Sequence, residues 1–430
     1  MKPGSNPQPP NELVDHLFRN RAGQMVAYLT RVLGAEHLDI AEEAVQEALL
    51  KALQTWPYNG VPDNPAGWLF RVARNAALDV LRHRKLVSQK TAEFVATMEM
   101  GSSAGMPGDS DFEEKLRDDE LRIVLMCCHP ALSRDARVAL SLKTAGGFST
   151  REIAKAFLSD ESAISQRLVR AKRQMREEGI GLELPSGEEL AQRMDSALEV
   201  IYLMFNEGYA AQSGEDLVRR DLCQESLRLA KLLADSSVST PQTYALVALL
   251  AFQAARLPAR VDSMGELVLL ENQDRNLWDQ ELLALGFHHF GLCAEGNEMS
   301  PYHLQAAIAA IHAGAATEAD TDWRKMLDLY DHLMELSPSP VVALNRAVVI
   351  SKVKGIPEGI TELRSLAEER SLRNYYLLPA AEGSLLLQMG DREGAARLFR
   401  EALKRPCSEP ERRLLINRWA ECEAIAPCFY

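Results

Sequence analysis

Asn64-Pro65-Ala66-Gly67-Trp68-Leu69-Phe70-Arg71-Val72-Ala73-Arg74-Asn75, continuing through Asp79 to Arg82-His83-Arg84-Lys85, reads as one helix. Asn64 is an N-cap residue type, and Pro65 stands at the first helical position, where a missing N–H costs nothing. At about 100° per residue, Leu69, Val72, Ala76 and Val80 form one apolar stripe, with Arg71, Arg74, Asn75, Leu78, Arg82 and Lys85 on the opposite face. A solvated basic face is the plain reading of such a row. The arginines, however, are suited to bidentate donation to phosphate, Asn75 carries an amide that can read a base, and Trp56, Tyr58 and Trp68 lie nearby as stacking surfaces. That is the equipment of a single-strand nucleic-acid binder.

Outward from this helix the same period recurs almost everywhere, and no stretch alternates convincingly with a period of two, so the fold class is all-α. Asp39-Ile40-Ala41-Glu42 and Ser149-Thr150-Arg151-Glu152 have capping-box spacing. Ser149 opens a short helix through Phe157, Leu158-Ser159-Asp160 can turn and cap again, and a longer helix runs from Glu161 to about Arg176. In that second helix Ile164, Leu168, Ala171 and Met175 make the buried stripe, while Ser162, Ser165, Gln166, Arg170 and Arg173 point outward. Short polar residues and Gln near the start, with arginines further on, suit a recognition helix in a major groove. A three-helix core with an exposed basic helix is the alternative.

The chain has 430 residues, 47% of them apolar and 25% charged, which places it with multi-domain globular proteins. Its most apolar stretch, Tyr244 to Ala255, is too short to span a bilayer. Residues 1–10 lack an apolar core and read as a flexible leader, not a secretory signal, which implies a cytoplasmic protein. Seven cysteines without framework spacing read as reduced thiols. The net charge of −13 argues against nucleic-acid binding until it is divided along the chain. Residues 1–179 balance 24 basic against 24 acidic side chains, whereas 180–430 hold 24 against 37. Within the first half, Trp68–Lys90 and Ser162–Arg176 are basic patches, and the Gly- and Ser-containing stretch between them is acidic and reads as a mobile linker.

Together the two patches resemble something specific. Asp39 to Ala48, Asn64 to Asn75, Asp79 and Arg82 to Lys85 look like region 2 of bacterial sigma factors, and residues 149–173 look like their region 4. The resemblance is to the extracytoplasmic-function (ECF) group of the sigma-70 family of RNA polymerase sigma factors, which lacks the middle domain; here an acidic linker takes its place. Cys127-Cys128-His129-Pro130, Met204-Phe205-Asn206-Glu207-Gly208-Tyr209 and Ser339-Pro340-Val341-Val342-Ala343-Leu344-Asn345-Arg346 are similar to the subgroup with a C-terminal tetratricopeptide-like extension. The implied organisation is a leader (1–10), region 2 (11–90), acidic linker (91–115), region 4 (116–180) and extension (185–430).

The resemblance implies roles. Asp39, Glu42, Glu43, Gln46 and Glu47 would dock on the clamp helices of the polymerase largest subunit, with the flap as a further contact. Asn64, Trp68, Arg71, Arg74, Asn75, Arg82 and Lys85 would capture the melted −10 strand, and Arg151, Ser162, Ser165, Gln166, Arg167, Arg170 and Arg173 would contact the −35 element. Ser162-Ala163 and Ser165 stand where Gly-Thr and Lys are usual in the group, so the resemblance does not carry over a −35 sequence preference. The implied function is promoter-directed transcription initiation by core RNA polymerase, with no enzymatic activity, cofactor, metal or membrane association. The competing reading is a tetratricopeptide-type adaptor with a DNA-binding N-terminal half.

Past residue 185, Gly383, Gly390, Ala395, Phe399 and Ala402 have tetratricopeptide spacing, and Gly355 precedes Gly390 by close to one repeat. Helices near 194–210, 222–234, 241–257 and 281–295 would be degenerate repeats or another helical packing, since at least three units are needed for a stable stack. A concave face there suits a peptide or protein ligand. Its acidity suggests masking of the basic patches, which screening restricts to close docking. Gly101-Ser102-Ser103-Ala104-Gly105 satisfies a nucleophile-elbow pattern but follows no strand, so Ser103 is a linker residue. Cys127, Cys128 and His129 are consecutive and point about 100° apart, as core thiols and not as a zinc site. His288-His289 reads as structural, and Cys422 and Cys428 lack a matching partner pair.

Overall fold

The computed structural model describes residues 10–84, 110–157, 159–209, 219–296 and 298–423. Most of the expected acidic linker, Ser103, Lys85, Leu158 and Cys428 lie outside the described residues. Within them are 18 α-helices and no strand, the one β-type pairing being an isolated bridge between Val261 and Leu267. No helix among them is long and apolar enough to cross a membrane.

The chain divides into two compact units, Met1–Leu203 and Met204–Tyr430. In the first, α1 (Pro10–Leu33), α2 (Leu38–Asn59) and α3 (Pro65–Arg84) pack on one another. Next come α4 (Ser110–Cys127), α5 (Arg134–Thr144), α6 (Thr150–Ala156), α7 (Glu161–Glu177) and α8 (Gly187–Tyr209). The units divide inside α8, beyond the Gly/Pro break at 179–187. Arg134 and Arg137 of α5 explain this, because they pair with Glu199 at 3.0 and 3.4 Å and Arg137 also donates to Ser196 Oγ at 2.8 Å.

Helix α3 starts as its sequence demands: the amide of Gly67 donates to Asn64 Oδ1 at 2.8 Å and Pro65 opens the first turn. Its buried face is not the expected stripe. Leu69, Phe70, Ala73, Ala76, Ala77, Leu78 and Leu81 are buried, whereas Val72 and Val80 are only half-buried. A helix wedged against both α1 and α2 buries a wider arc than one packed on a single neighbour, and this takes in Leu78. Asp39-x-x-Glu42 is likewise no capping box: His37 is the N-cap, without a side-chain cap bond. Ser149 and Glu152 do form one, with Glu152 N to Ser149 Oγ at 3.2 Å and Ser149 N to Glu152 Oε2 at 2.8 Å.

Helix α1 packs on α4 as well as on α2 and α3. Arg31 pairs with Asp119 at 2.7 Å, Arg21 with Glu113 at 2.6 Å, and Gln24 donates to Glu120 at 3.2 Å. Gly23 allows the closest approach: a Cβ there would lie 2.0 Å from the Ala145 carbonyl oxygen. Cys127 and Cys128 are fully buried core thiols, and burial pushes Cys128 up to about 11 despite its contact with Ser141 Oγ at 3.4 Å.

The second unit runs through α9 (Arg220–Ala234), α10 (Pro241–Ala255), α11 (Gln280–Cys293), α12 (Pro301–Gly314), α13 (Trp323–Leu336), α14 (Pro340–Val353), α15 (Ile356–Ser365), α16 (Leu377–Gln388), α17 (Arg392–Ala402) and α18 (Glu409–Glu423). Each helix from α9 onward packs on the next, the arrangement of a helical array. Gly355 (φ 125°) and Gly390 (φ 86°) turn the α14–α15 and α16–α17 hairpins. Ala395, Phe399 and Ala402 are fully buried at the second of these. His289 is buried and its Nδ1 lies 3.0 Å from the Leu285 carbonyl oxygen, while His288 is exposed.

Candidate nucleic-acid interface

Two surfaces of the first unit carry the expected residues. On α3, Arg71, Asn75 and Arg82 are exposed along one ridge, where Arg82 lies 3.6 Å from Asp79. Arg74 departs from that ridge: it is half-buried, its Nε is buried without a hydrogen bond among the described residues, and its charge reaches Tyr28. Burial pushes the Tyr28 hydroxyl up, against the pull of Arg31 and Arg74.

The aromatic residues separate by burial. Trp56 is 2% exposed and belongs to the core, so it offers no stacking surface in this conformation; its ring meets Trp68 edge-on at 5.5 Å. Trp68 is half-buried above it, and Tyr58 is 88% exposed just beyond, ahead of the Gly60 turn. A half-buried ring braced by a buried one is a rigid platform, while the exposed tyrosine is free to follow a strand.

On the helix-turn-helix, Arg151, Ser162, Ser165, Gln166, Arg170 and Arg173 are all exposed, whereas Ile164, Leu168, Ala171 and Met175 are buried as the periodicity predicts. Arg167 is half-buried and lies 3.4 Å from Asp135. Gln166 Oε1 accepts from Arg170 at 3.2 Å, which holds both side chains on the same exposed face.

The acidic set on α2 splits in two. Glu43, Gln46 and Glu47 are exposed, with Glu47 paired to Lys51 at 2.6 Å. Asp39 and Glu42 instead face the C-terminal half of α7. Lys172 Nζ donates to Asp39 Oδ1 at 2.6 Å and to Glu42 Oε2 at 2.8 Å, Arg176 donates to Asp39 Oδ2 at 3.2 Å, and Thr144 Oγ1 donates to Glu42 Oε1 at 2.9 Å. Glu42 is only 8% exposed. Burial by itself raises Asp39, yet the hydrogen bonds and charges of Lys172 and Arg176 together hold its carboxyl below the ordinary range. Burial likewise opposes the charge on Lys172, and Glu42 and Asp39 outweigh it, leaving the amine above its ordinary value.

Sequence periodicity missed this cluster because its members are more than a hundred residues apart. The one available signal was Lys172, a basic residue beside the apolar stripe of its helix and off the exposed row.

Both surfaces lie within segments that match known families. Residues 17–87 match the family model described as Sigma-70 region 2, residues 122–175 match Sigma-70, region 4, and residues 193–294 match a family of unknown function, DUF6596. An uncharacterized protein of Rhizobium meliloti (strain 1021) is 40% identical over 359 residues, covering 82% of this chain and 83% of its own. A probable RNA polymerase sigma factor, RfaY, of Xanthomonas campestris pv. campestris is 32% identical over 141 residues, covering 32% of this chain and 34% of its own. No solved structure matches.

Proposed function

This chain belongs to the sigma-70 family of bacterial RNA polymerase sigma factors, in its extracytoplasmic-function group, and from that premise we propose that it directs core polymerase to promoters by holding the melted −10 strand on α3 and reading −35 duplex with α7. Members of the family are non-enzymatic initiation factors that bind core RNA polymerase and promoter DNA. The observation that carries the finer reading is the exposed row Arg71, Asn75 and Arg82 on α3, in the same chain as the exposed row Ser162, Ser165, Gln166, Arg170 and Arg173. Asn64, Trp68, Arg74 and Lys85 complete the −10 set, and Arg151 and Arg167 the −35 set. The protein would work in the cytoplasm.

Core polymerase would engage α2 through Glu43, Gln46 and Glu47 first, because Asp39 and Glu42 are held by Lys172, Arg176 and Thr144. Spacing supports the view that this arrangement is a closed state. Promoter elements centred about 25 base pairs apart are separated by roughly 85 Å at ~3.4 Å per base pair. A compact unit of this length has an expected radius of gyration of only about 17 Å. The α2–α7 contacts must therefore part before both elements are read at once.

The extension modulates this step, and we expect it to be required for activity. The test is run-off transcription with purified core polymerase. Arg71→Glu should abolish open-complex formation while leaving polymerase binding intact, and residues 1–203, which keep the α8 contacts to Arg134 and Arg137, should transcribe less than the full chain. Promoter-selective transcription surviving Arg71→Glu would favour the adaptor reading.

A further inference from the structure

We propose that Arg256, Arg260 and Arg275 of the extension form a binding site for a small phosphorylated compound, a diphosphate or a nucleoside diphosphate. This site does not depend on the transcription reading; it rests on three neighbouring guanidinium groups that, among the described residues, have no carboxylate within ion-pair distance.

The three arginines converge after α10. Arg256 is the residue that ends α10, Arg260 follows one turn later, and Arg275 opens the short turn Arg275–Leu277. Both Arg256 and Arg275 lie against the ring of Trp278, which is 3% exposed, with guanidinium carbons 5.7 and 5.1 Å from its centroid. Arg260 lies over the Tyr209 ring at 3.9 Å and donates to the Tyr209 carbonyl. Arg256 feels the charges of both other guanidinium groups.

Among the described residues the other half-buried arginines of this unit are ion-paired, as in Arg219–Asp221, Arg228–Glu225, Arg346–Asp331 and Arg413–Glu266, while the other arginines without a carboxylate partner are exposed. Among the described residues none of the three clustered arginines lies within ion-pair distance of a carboxylate. The charges of Asp320 and Glu318 reach Arg275 only from beyond ion-pair distance, and Glu318 is paired with Lys352 at 2.7 Å. The C-terminal end of α10 supplies only about half an elementary charge of compensation.

The hydrogen-bond inventory is equally incomplete. Arg256 makes one contact, Nε to Gln273 Oε1 at 3.5 Å, and among the described residues its two terminal nitrogens bond to nothing. Arg275 uses one terminal nitrogen for the carbonyls of His312 and Ala315. His312 Nδ1 is buried without a partner among the described residues. Burial, and then the charges of Arg256 and Arg275, drive the His312 imidazole down to about 4, so it adds a neutral hydrogen-bonding group.

Burying guanidinium groups beside one another without a counter-ion is unfavourable, and a bound multivalent oxyanion reverses the sign. Phosphate suits this set better than a carboxylate because planar guanidinium groups grip it bidentately and it carries up to two charges per group.

The test is isothermal titration of the full-length chain with pyrophosphate, ADP, inorganic phosphate and tricarballylate at matched ionic strength. Saturable binding of pyrophosphate or ADP, at least tenfold tighter than tricarballylate, is the expected result; which of the two is tighter tells free diphosphate from nucleotide. Arg256→Gln should weaken binding at least tenfold with helical content unchanged, and Arg256→Lys should lie between. By NMR, His312 should titrate at higher pH in Arg256→Gln than in the parent, and pyrophosphate should raise it in the parent. Absence of saturable binding by both phosphorylated probes, equal binding of tricarballylate, or undiminished binding to Arg256→Gln would each overturn the site.

Discussion

Replacing Lys172 with methionine keeps most of its volume and removes the charge that ties α7 to α2. Its side chain is 12% exposed and that of Glu42 is 9% exposed, so this is a buried pair. Removing one partner of such a pair costs about 3–5 kcal/mol when the other is left without compensation. Here Glu42 keeps its bond from Thr144 and Asp39 keeps Arg176, and Asp39 is half exposed, which brings the expected cost to roughly 2–3 kcal/mol. A penalty confined to the closed state shifts the closed–open balance by roughly 30- to 140-fold. The assay pairs hydrogen exchange on α2 and α7 with core-polymerase affinity. Exchange through opening should accelerate by that factor, and polymerase binding should tighten toward it where opening limits access to Asp39. A double-mutant cycle with Glu42→Gln should return a coupling of at least 1 kcal/mol, within the usual range for contacting residues. Unchanged exchange together with unchanged or weaker polymerase binding would refute the idea that this cluster holds the unit shut.

Gly23→Ala should loosen the α1 contact with the end of α5, because its Cβ would meet a backbone oxygen that cannot swing aside; overpacking of this kind costs about 1–3 kcal/mol and should appear as a lower thermal midpoint. Ser149→Ala removes the cap of α6 and should cost about 1 kcal/mol in denaturant melts, weakening −35 duplex binding without changing sequence preference. The α2–α7 cluster should also respond to pH at both ends. Asp39 is held below its unfolded value of about 3.9, so its contribution is present above that pH and is lost as pH falls through the depressed value. Lys172 is held above about 10.4, so its contribution is present below that pH and is lost as pH rises through the raised value. A lock that loosens between pH 5 and 9, read by exchange on α7, would contradict this assignment.

Local chemistry was legible in the sequence wherever partners are close along the chain. Ser149 and Glu152 are three residues apart and cap each other; Asn64 and Pro65 start α3; Ile164, Leu168, Ala171 and Met175 are buried as their spacing requires. The misreadings share one cause. Asp39 and Glu42 have the spacing of a local cap, but their carboxylates are claimed by a lysine that only the tertiary fold brings within reach. Val72 and Val80 belong to a stripe drawn for one packing partner, whereas α3 has two. Trp56 looked like a stacking surface because sequence proximity to Trp68 carries no information about depth. The arginine site of the extension was invisible for the same reason, Arg256 and Arg260 flanking the turn after α10 and Arg275 opening a later one. Only the Arg256 and Arg260 spacing at the end of an apolar helix hinted at it.

Helix α7 carries two separate sets of side chains. Its exposed row is Ser162, Ser165, Gln166, Arg170 and Arg173, whereas Lys172 and Arg176 enter the contact with α2. The ion cluster therefore occupies different side chains from those that would touch duplex DNA. Under the proposed function, contact with −35 duplex would need only the first set, and reading both elements would need release of the second. Scanning and engagement would then be successive events, because the exposed row is available while the ion cluster is still closed.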